Sequence, residues 1–361
     1  MDGLLSLCMI VKDEENYLGR ALSGVAAGVD EIIVVDTGST DKTKEVASKF
    51  TDKIFDYEWK DDFAAARNYS FSKASCRYAM WLDADDVITE ENLSKLLTLR
   101  KRLEKNDLDV VLCRYDVGFD SNDRPTFTFF RERIIRVSDR FVWQGWVHEC
   151  IVPSGKVTYD EFAVQHRRSD KPRGRRNLDI YQKNITAGGV LDGRNKFYYG
   201  RELFSNRLYT EAVAVLEEMI NDYSAWEINK IEACKVLAEC YLHKNDKRSA
   251  LATLYRSFDF GPPRAKILCK IGEIFKNEKK WEQAIFWYSN ALKCKDYSYF
   301  GDFDSPDFRS LIPLLDLTHC YYHNGETAKS LECHAAAEQI APDNPSVVFN
   351  RDFFKSKNLL T

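Results

Sequence analysis

The rhythm of apolar and polar positions changes near residue 180. Before it, short apolar runs alternate with amphipathic stretches. Leu4–Val11, Glu31–Val35, Lys53–Tyr57, Tyr78–Leu82 and Val110–Tyr115 read as strands. Glu15–Ala26, Asp41–Phe50, Ala64–Ala74 and Glu90–Glu104 read as helices, the second behind a Ser39-Thr40 cap signal. Strand, helix and strand in succession predict right-handed βαβ units and a mostly parallel sheet with covered faces. Such sheets place ligands beyond the carboxyl ends of their strands.

After residue 180 no strand pattern remains, and helix-length segments rich in Ala, Leu, Tyr and Glu follow one another. Small residues recur in pairs twelve apart: Gly200 and Ala212, Ala238 and Ala250, Gly272 and Ala284, Thr318 and Ser330. The openers lie 38, 34 and 46 residues apart, and Leu203, Tyr241, Phe275 and Tyr321 each follow an opener by three. This resembles tetratricopeptide repeats, whose period is about 34 and whose small residues let two helices approach closely. An irregular helical bundle is the competing reading. The longer last interval accommodates the aromatic and acidic segment 297–308, which reads as a loop. The expected domains are 1–175 and 176–361.

With 44% hydrophobic and 13% aromatic residues in 361, the chain has the apolar surface to build real cores, which excludes disorder as its main state. A net charge of −4 supplies no global positive field for nucleic acid or anionic lipid. No apolar stretch approaches the ~20 residues that span a bilayer. The ten cysteines form no CxxC pair, and Met1–Val11 reads as a buried strand rather than an export signal. Together these fit a reducing cytoplasm.

The strongest local signal is Asp83-Ala84-Asp85-Asp86 at the end of a strand. Carboxylates this close repel, and a divalent cation such as Mg²⁺ or Mn²⁺ relieves that repulsion. Capping of the helix that begins near Thr89 is the bland alternative. Upstream, Asp36 ends another strand before Gly38-Ser39-Thr40, where it can accept hydrogen bonds from a base or ribose or simply close a turn. Arg67, in Phe63-Ala-Ala-Ala-Arg67-Asn68, sits on a helix beside the acidic strand.

Read together, these segments resemble the nucleotide-sugar glycosyltransferases of family 2. That family's turn after the first strand is here Lys12-Asp13-Glu14-Glu15. Its strand-end Asp is Asp36, its FxxARN helix runs from Phe63 to Asn68, and its DxD is Asp83 and Asp85. The resemblance implies an α/β GT-A nucleotide-sugar-binding fold with a central mixed sheet, followed by the all-α repeat domain. It places Lys12, Asp36, Arg67 and Asp83 at the donor, with Asp83 near ribose or metal and Asp85 as metal ligand. The family's strand often carries proline and threonine where this chain has Ile10 and Val11.

Family relatives also carry an arginine-rich strand, a WxGxxHE stretch and a later histidine. Here these are Arg131–Arg136, Trp143–Glu149 and His166. Glu149 is the candidate general base for the acceptor, or else the partner of a neighbouring arginine. His166 or His148 could complete the metal shell, although a lone histidine is often a core residue. Arg133 and Arg136, taken as alternating along a strand, either face a diphosphate or pair with Asp116 or Asp120. The basic run Arg167–Arg176 is a solvated linker or a phosphate-closing loop.

The implied activity is metal-dependent inverting transfer of a sugar from a UDP-sugar. Helical repeats hold extended peptides, so the acceptor implied is a peptide or protein, and the architecture resembles the sublancin-type peptide S-glycosyltransferases that modify Cys or Ser of bacteriocin precursors. A transferase acting on a cell-envelope or lipid-linked glycan, or a non-catalytic repeat scaffold, are the rivals. Self-association through the repeats is a further possibility.

Overall fold

A computed structural model describes residues 3–119, 123–167, 174–297 and 305–360. The chain divides into two compact units, Met1–Val190 and Leu191–Thr361.

The first unit is built on one eight-stranded sheet. Its strands are β1 (Leu5–Val11), β2 (Glu31–Asp36), β3 (Ile54–Asp56), β4 (Tyr78–Trp81), β5 (Asp86–Val87), β6 (Val110–Phe119), β7 (Pro125–Arg136) and β8 (Val157–His166). Their order is β3-β2-β1-β4-β7-β6-β8-β5. Strands β3, β2, β1 and β4 are mutually parallel; β7 runs antiparallel to both β4 and β6, and β6 pairs parallel with β8. Six of the eight strands therefore run one way, with β7 and β5 reversed, so the sheet is mixed but still mostly parallel. A short connection from β6 to β7 can only make an antiparallel hairpin.

Helices α1 (Leu18–Val25), α2 (Thr43–Ala47), α3 (Phe63–Phe71), α4 (Glu90–Lys105) and α5 (Arg176–Thr186) complete this unit. On one face Leu18, Leu22 and Val25 of α1 and Leu96, Leu99 and Leu103 of α4 pack on Leu5, Leu7, Met9 and Val11. On the other, Tyr69 and Phe71 of α3 meet Cys8, Ile33, Val35 and Ala79. Burial on both faces explains the nearly unbroken apolar runs of β1 and β2.

Three local readings change. Helix α2 is only five residues long, and Ser39 and Thr40 do not cap it. Ser39 Oγ instead accepts the amide of Asp13 at 2.9 Å, and the Thr40 amide donates to Asp13 Oδ1 at 2.7 Å. Thr89, not Asp85 or Asp86, caps α4. Helix α5 belongs to the first unit, so the border lies at 190 rather than 175. Its Tyr181 donates to the carbonyl of Val147 at 3.3 Å and its Asn184 to that of Asp61 at 3.0 Å.

The second unit is a run of helices: α6 (Gly193–Ser205), α7 (Tyr209–Asn221), α8 (Glu227–His243), α9 (Lys247–Arg256), α10 (Ala265–Asn277), α11 (Trp281–Ala291), α12 (Leu311–His323), α13 (Thr327–Ile340) and α14 (Pro345–Ser356). The small-residue pairs join successive helices. A side chain at Gly200 would reach within 2.5 Å of Leu216, and Ser330 Oγ donates to the Thr318 carbonyl at 2.6 Å. Seven residues after each opener stands a left-handed residue: Arg207, Asn245, Lys279 and Gly325. The next amide (Leu208, Asp246, Lys280, Glu326) donates back to Leu203, Tyr241, Phe275 or Tyr321, at 2.8–3.0 Å. Every first helix thus ends in the same way. Within 297–308, residues 298–304 lie outside the described residues and Pro306–Arg309 forms a 3₁₀ turn. Among the described residues no helix is long and apolar enough to cross a membrane.

Candidate active site

The carboxyl ends of β1, β2 and β4 meet at one edge of the first sheet. Lys12 follows β1 and is exposed there. Asp36, 1% exposed, ends β2, and its Oδ1 accepts the amides of Gly38 at 2.9 Å and Ser39 at 2.8 Å. Its buried Oδ2 has no hydrogen-bond partner. Gly38 makes this turn with a φ of 102°, a conformation costly for a residue with a Cβ.

The acidic turn follows β4. Asp86 is fully buried: its Oδ2 accepts the Asp83 amide at 3.0 Å, and its Oδ1 accepts the Tyr115 hydroxyl at 2.8 Å. Asp86 also pairs with His166 across β5 and β8. His166 Nδ1 lies 3.1 Å from the Tyr115 hydroxyl, 3.4 Å from Asp86 Oδ1 and 3.5 Å from Asp85 Oδ1. Burial works against a charged His166, but Asp86 and Asp85 raise its pKa above the ordinary value. Among the described residues, Asp85, Asp86 and His166 form the one group that could hold a metal ion. Carboxylate oxygen with one imidazole is a donor set that suits Mn²⁺.

Asp83 stands outside that group. Its Oδ1 accepts from Arg67 Nη2 at 2.7 Å, while Arg67 Nε donates to Glu149 Oε1 at 2.5 Å. Burial alone would raise the Asp83 carboxyl, but the Arg67 charge and hydrogen bond hold it below the usual carboxylate range. Arg67 is itself 4% exposed and sits 4.6 Å from the Trp81 ring and 5.1 Å from that of Trp143. It ties the two acids together from the interior. Glu149 has a salt bridge after all, with an arginine from α3 rather than from the neighbouring strand. Asn68, unremarked in the sequence beyond its motif, holds the same loop. It donates to the Trp143 carbonyl at 3.0 Å and accepts the Trp143 amide at 2.8 Å. The ARN segment thus fixes the Trp143–Glu149 stretch at both ends.

Arg133 does not face a donor. It is fully buried, the β6–β7 register skips it at a bulge, and its Nη1 donates to the Trp81 carbonyl at 2.9 Å. The guanidinium lies 3.7 Å from the Trp81 ring, with Asp86 at 3.4 Å as its acid partner instead of Asp116. Asp120 is outside the described residues. Three residues further on, at the last position of β7 and beside the start of β4, Arg136 binds the Leu108 carbonyl and Asp107. The two arginines thus serve different acids and carbonyls and do not converge on one site. His148 takes a φ of 54° in the loop bridged at Gln144 and Cys150, outside the metal group. Of the basic run, residues 168–173 lie outside the described residues; Arg167 binds Asp123 and Gln165.

Residues 6–157 match the profile of glycosyl transferase family 2, and the first unit carries a domain of that family. A helical-repeat unit of the tetratricopeptide kind follows it. The chain is similar to the SPbeta prophage-derived glycosyltransferase SunS of Bacillus subtilis, with 27% identity over 256 residues, 66% of this chain and 58% of that protein. It also shares 44% identity over 92 residues with a TPR repeat-containing protein of Synechococcus elongatus, 26% of this chain and 23% of that one. The chain therefore spans less than two thirds of these relatives. A crystal structure of S. aureus TarS 1-349 aligns with a TM-score of 0.40 at 13% identity, covering 70% of this chain and 91% of that one.

Proposed function

We propose that this chain is a metal-dependent inverting glycosyltransferase that moves a sugar from a UDP-sugar to a Cys or Ser side chain of a peptide or protein in the cytoplasm. The observation that carries the reading is the unsatisfied Asp36 Oδ2, buried at the same sheet edge as the Asp85–His166 group within the family 2 segment. A buried carboxylate oxygen without a donor is costly, and an N–H or O–H of a bound nucleoside would satisfy it.

Asp85 and His166 are the residues that would hold the cation. When bound, it supplies Lewis-acid neutralisation of the departing diphosphate. Asp83 is oriented toward the ribose by Arg67, and Lys12 offers a positive charge at the rim of β1. Glu149, anchored through Oε1, is the residue proposed to take the acceptor's proton. An inverting reaction needs no covalent glycosyl-enzyme. The repeat unit supports a peptide acceptor, since stacked helix pairs form surfaces suited to extended chains.

Intact-mass analysis tests this reading. The chain is incubated with MnCl₂, UDP-glucose or UDP-N-acetylglucosamine, and peptides carrying Cys or Ser. A gain of one hexose or N-acetylhexosamine on a peptide is expected. Release of UDP without any peptide product would restrict the claim to the donor site, and no UDP release with any donor would sink it.

A further inference from the structure

Asp86 looks like a third ligand of the acidic group, but every one of its contacts points inward. The side chain is fully buried. Its Oδ2 accepts the Asp83 amide and faces Arg133 Nη1 at 3.4 Å, and the Asp86 amide in turn donates to the Asp83 carbonyl at 3.1 Å. Oδ1 accepts the Tyr115 hydroxyl at 2.8 Å. The Tyr115 hydroxyl has one hydrogen, and that hydrogen is spent on Asp86. Its oxygen, 3.1 Å from His166 Nδ1, can then only accept. The other groups near Nδ1 are the carboxylates of Asp86 and Asp85, at 3.4 and 3.5 Å, which also only accept. Among the described residues Nδ1 has acceptors alone around it, which assigns it the proton.

We infer that Asp86 and Tyr115 are positioning residues: they hold His166 as its Nδ1–H tautomer, leaving Nε2 as the atom that binds the cation, and Asp86 itself is not a ligand. This rests on the proposed metal-dependent reaction and deepens it. A ligating histidine whose second ring N–H is held by a carboxylate is a stiffer and more basic ligand, and loss of that partner costs about 10–100-fold in metal affinity. Arg133 keeps the arrangement charge-balanced in the interior, over the Trp81 and Tyr115 rings at 3.7 and 4.7 Å. The same carboxylate shapes the turn that presents Asp85, which couples the two proposed ligands through one buried group.

The test has two readouts on the full chain. Nitrogen-15 NMR of the ¹⁵N-histidine protein without metal, above the pH at which His166 is neutral, with the His166 signal assigned by its loss in His166→Gln, should show protonated Nδ1 and unprotonated Nε2. Titration with MnCl₂ alone, followed by calorimetry, should show roughly 10-fold weaker binding in Tyr115→Phe. That substitution keeps the ring and its packing and removes only the hydroxyl. Asp86→Asn should weaken Mn²⁺ binding and shift the tautomer balance. Should it fail to fold, Tyr115→Phe carries both measurements. An Nε2–H tautomer in the parent chain would overturn the inference, as would Mn²⁺ binding unchanged in a folded Tyr115→Phe. A parent chain that binds no Mn²⁺ would instead remove the metal reading on which the role depends.

Discussion

Arg67 Nη2 donates to Asp83 Oδ1 at 2.7 Å, joining the interior of α3 to the acidic turn after β4. The same guanidinium reaches Glu149 through Nε, so one buried cation orients two candidate site carboxylates. Removing it leaves both acids without their partner. Arg67→Met should destabilise the first unit by about 3–5 kcal/mol in urea unfolding, the range for breaking a buried pair. Arg67→Lys should recover little, because an ammonium cannot serve two acids through a planar fork. Full stability in Arg67→Lys would show that charge alone suffices.

Asp85 is where chemistry and fold separate. Its side chain is 18% exposed and the cap of α4 belongs to Thr89. Asp85→Ala should therefore leave the unfolding midpoint nearly unchanged and reduce Mn²⁺-dependent release of UDP by roughly 100-fold or more, the scale of a lost transition-state charge contact. EDTA should reproduce that loss in the parent chain, and added MnCl₂ should reverse it. Undiminished UDP release from the variant would contradict the assignment.

Glu31 sets the acid limit of the first unit. Its carboxylate accepts the Ser75 amide at 2.9 Å and the Ser75 hydroxyl at 2.8 Å, and it binds Ser6 and Lys53. Burial alone would raise its pKa, but these partners, Lys53 foremost, hold it at about 2. A carboxylate with a depressed folded pKa stabilises above its unfolded value and loses that contribution as pH falls. The loss should run from about pH 4.5 down to about 2. Glu31→Gln should cost about 1–3 kcal/mol at pH 7 and flatten that acid limb in pH-resolved thermal melts. An unchanged limb would mean other groups control it.

In the repeats, the left-handed residue that ends each first helix is glycine only at Gly325. Lys279 holds the equivalent place with a φ of 58°. A left-handed conformation costs an L-residue about 1–2 kcal/mol, and glycine gives part of that back in unfolded-state entropy. Lys279→Gly should raise the stability of the second unit by about 0.5–1 kcal/mol in denaturant titration. A decrease would mean that the lysine side chain contributes contacts outweighing the strain.

Gly200 gives the opposite sign. A Cβ there would sit 2.5 Å from Leu216 Cδ2 and 2.6 Å from its Cγ. Gly200→Val should lower stability by about 1–3 kcal/mol, as overpacking does, and Leu216→Ala introduced beside it should recover part of the loss. No recovery in the double variant would place the strain elsewhere.

How much of this was legible in the chain depends on how local each cause is. Period and composition found β1 to β4 and β6, the acidic turn, the repeat openers and the residues that follow them by three, because each obeys a rule within about a dozen neighbours; β5 and β8 went unread. The family resemblance placed Arg67 at the donor and strand alternation offered Arg133 a diphosphate or an acid; in the structure both arginines tie interior groups together. Nothing near Arg67 in sequence announces Asp83 or Glu149, which lie 16 and 82 residues away. Asp86 was similarly overlooked as a hub, since Tyr115, Arg133 and His166 reach it only through three different strands.

What the sequence determined by itself was the kind of element over most of the chain, the division into a sheet-based and a helical half, and the resemblance of the first half to glycosyl transferase family 2. Only the tertiary structure decided which charges face a ligand and which face one another. A guanidinium or carboxylate has the same local signature in both settings, and its role follows from the partners and burial that strand order imposes.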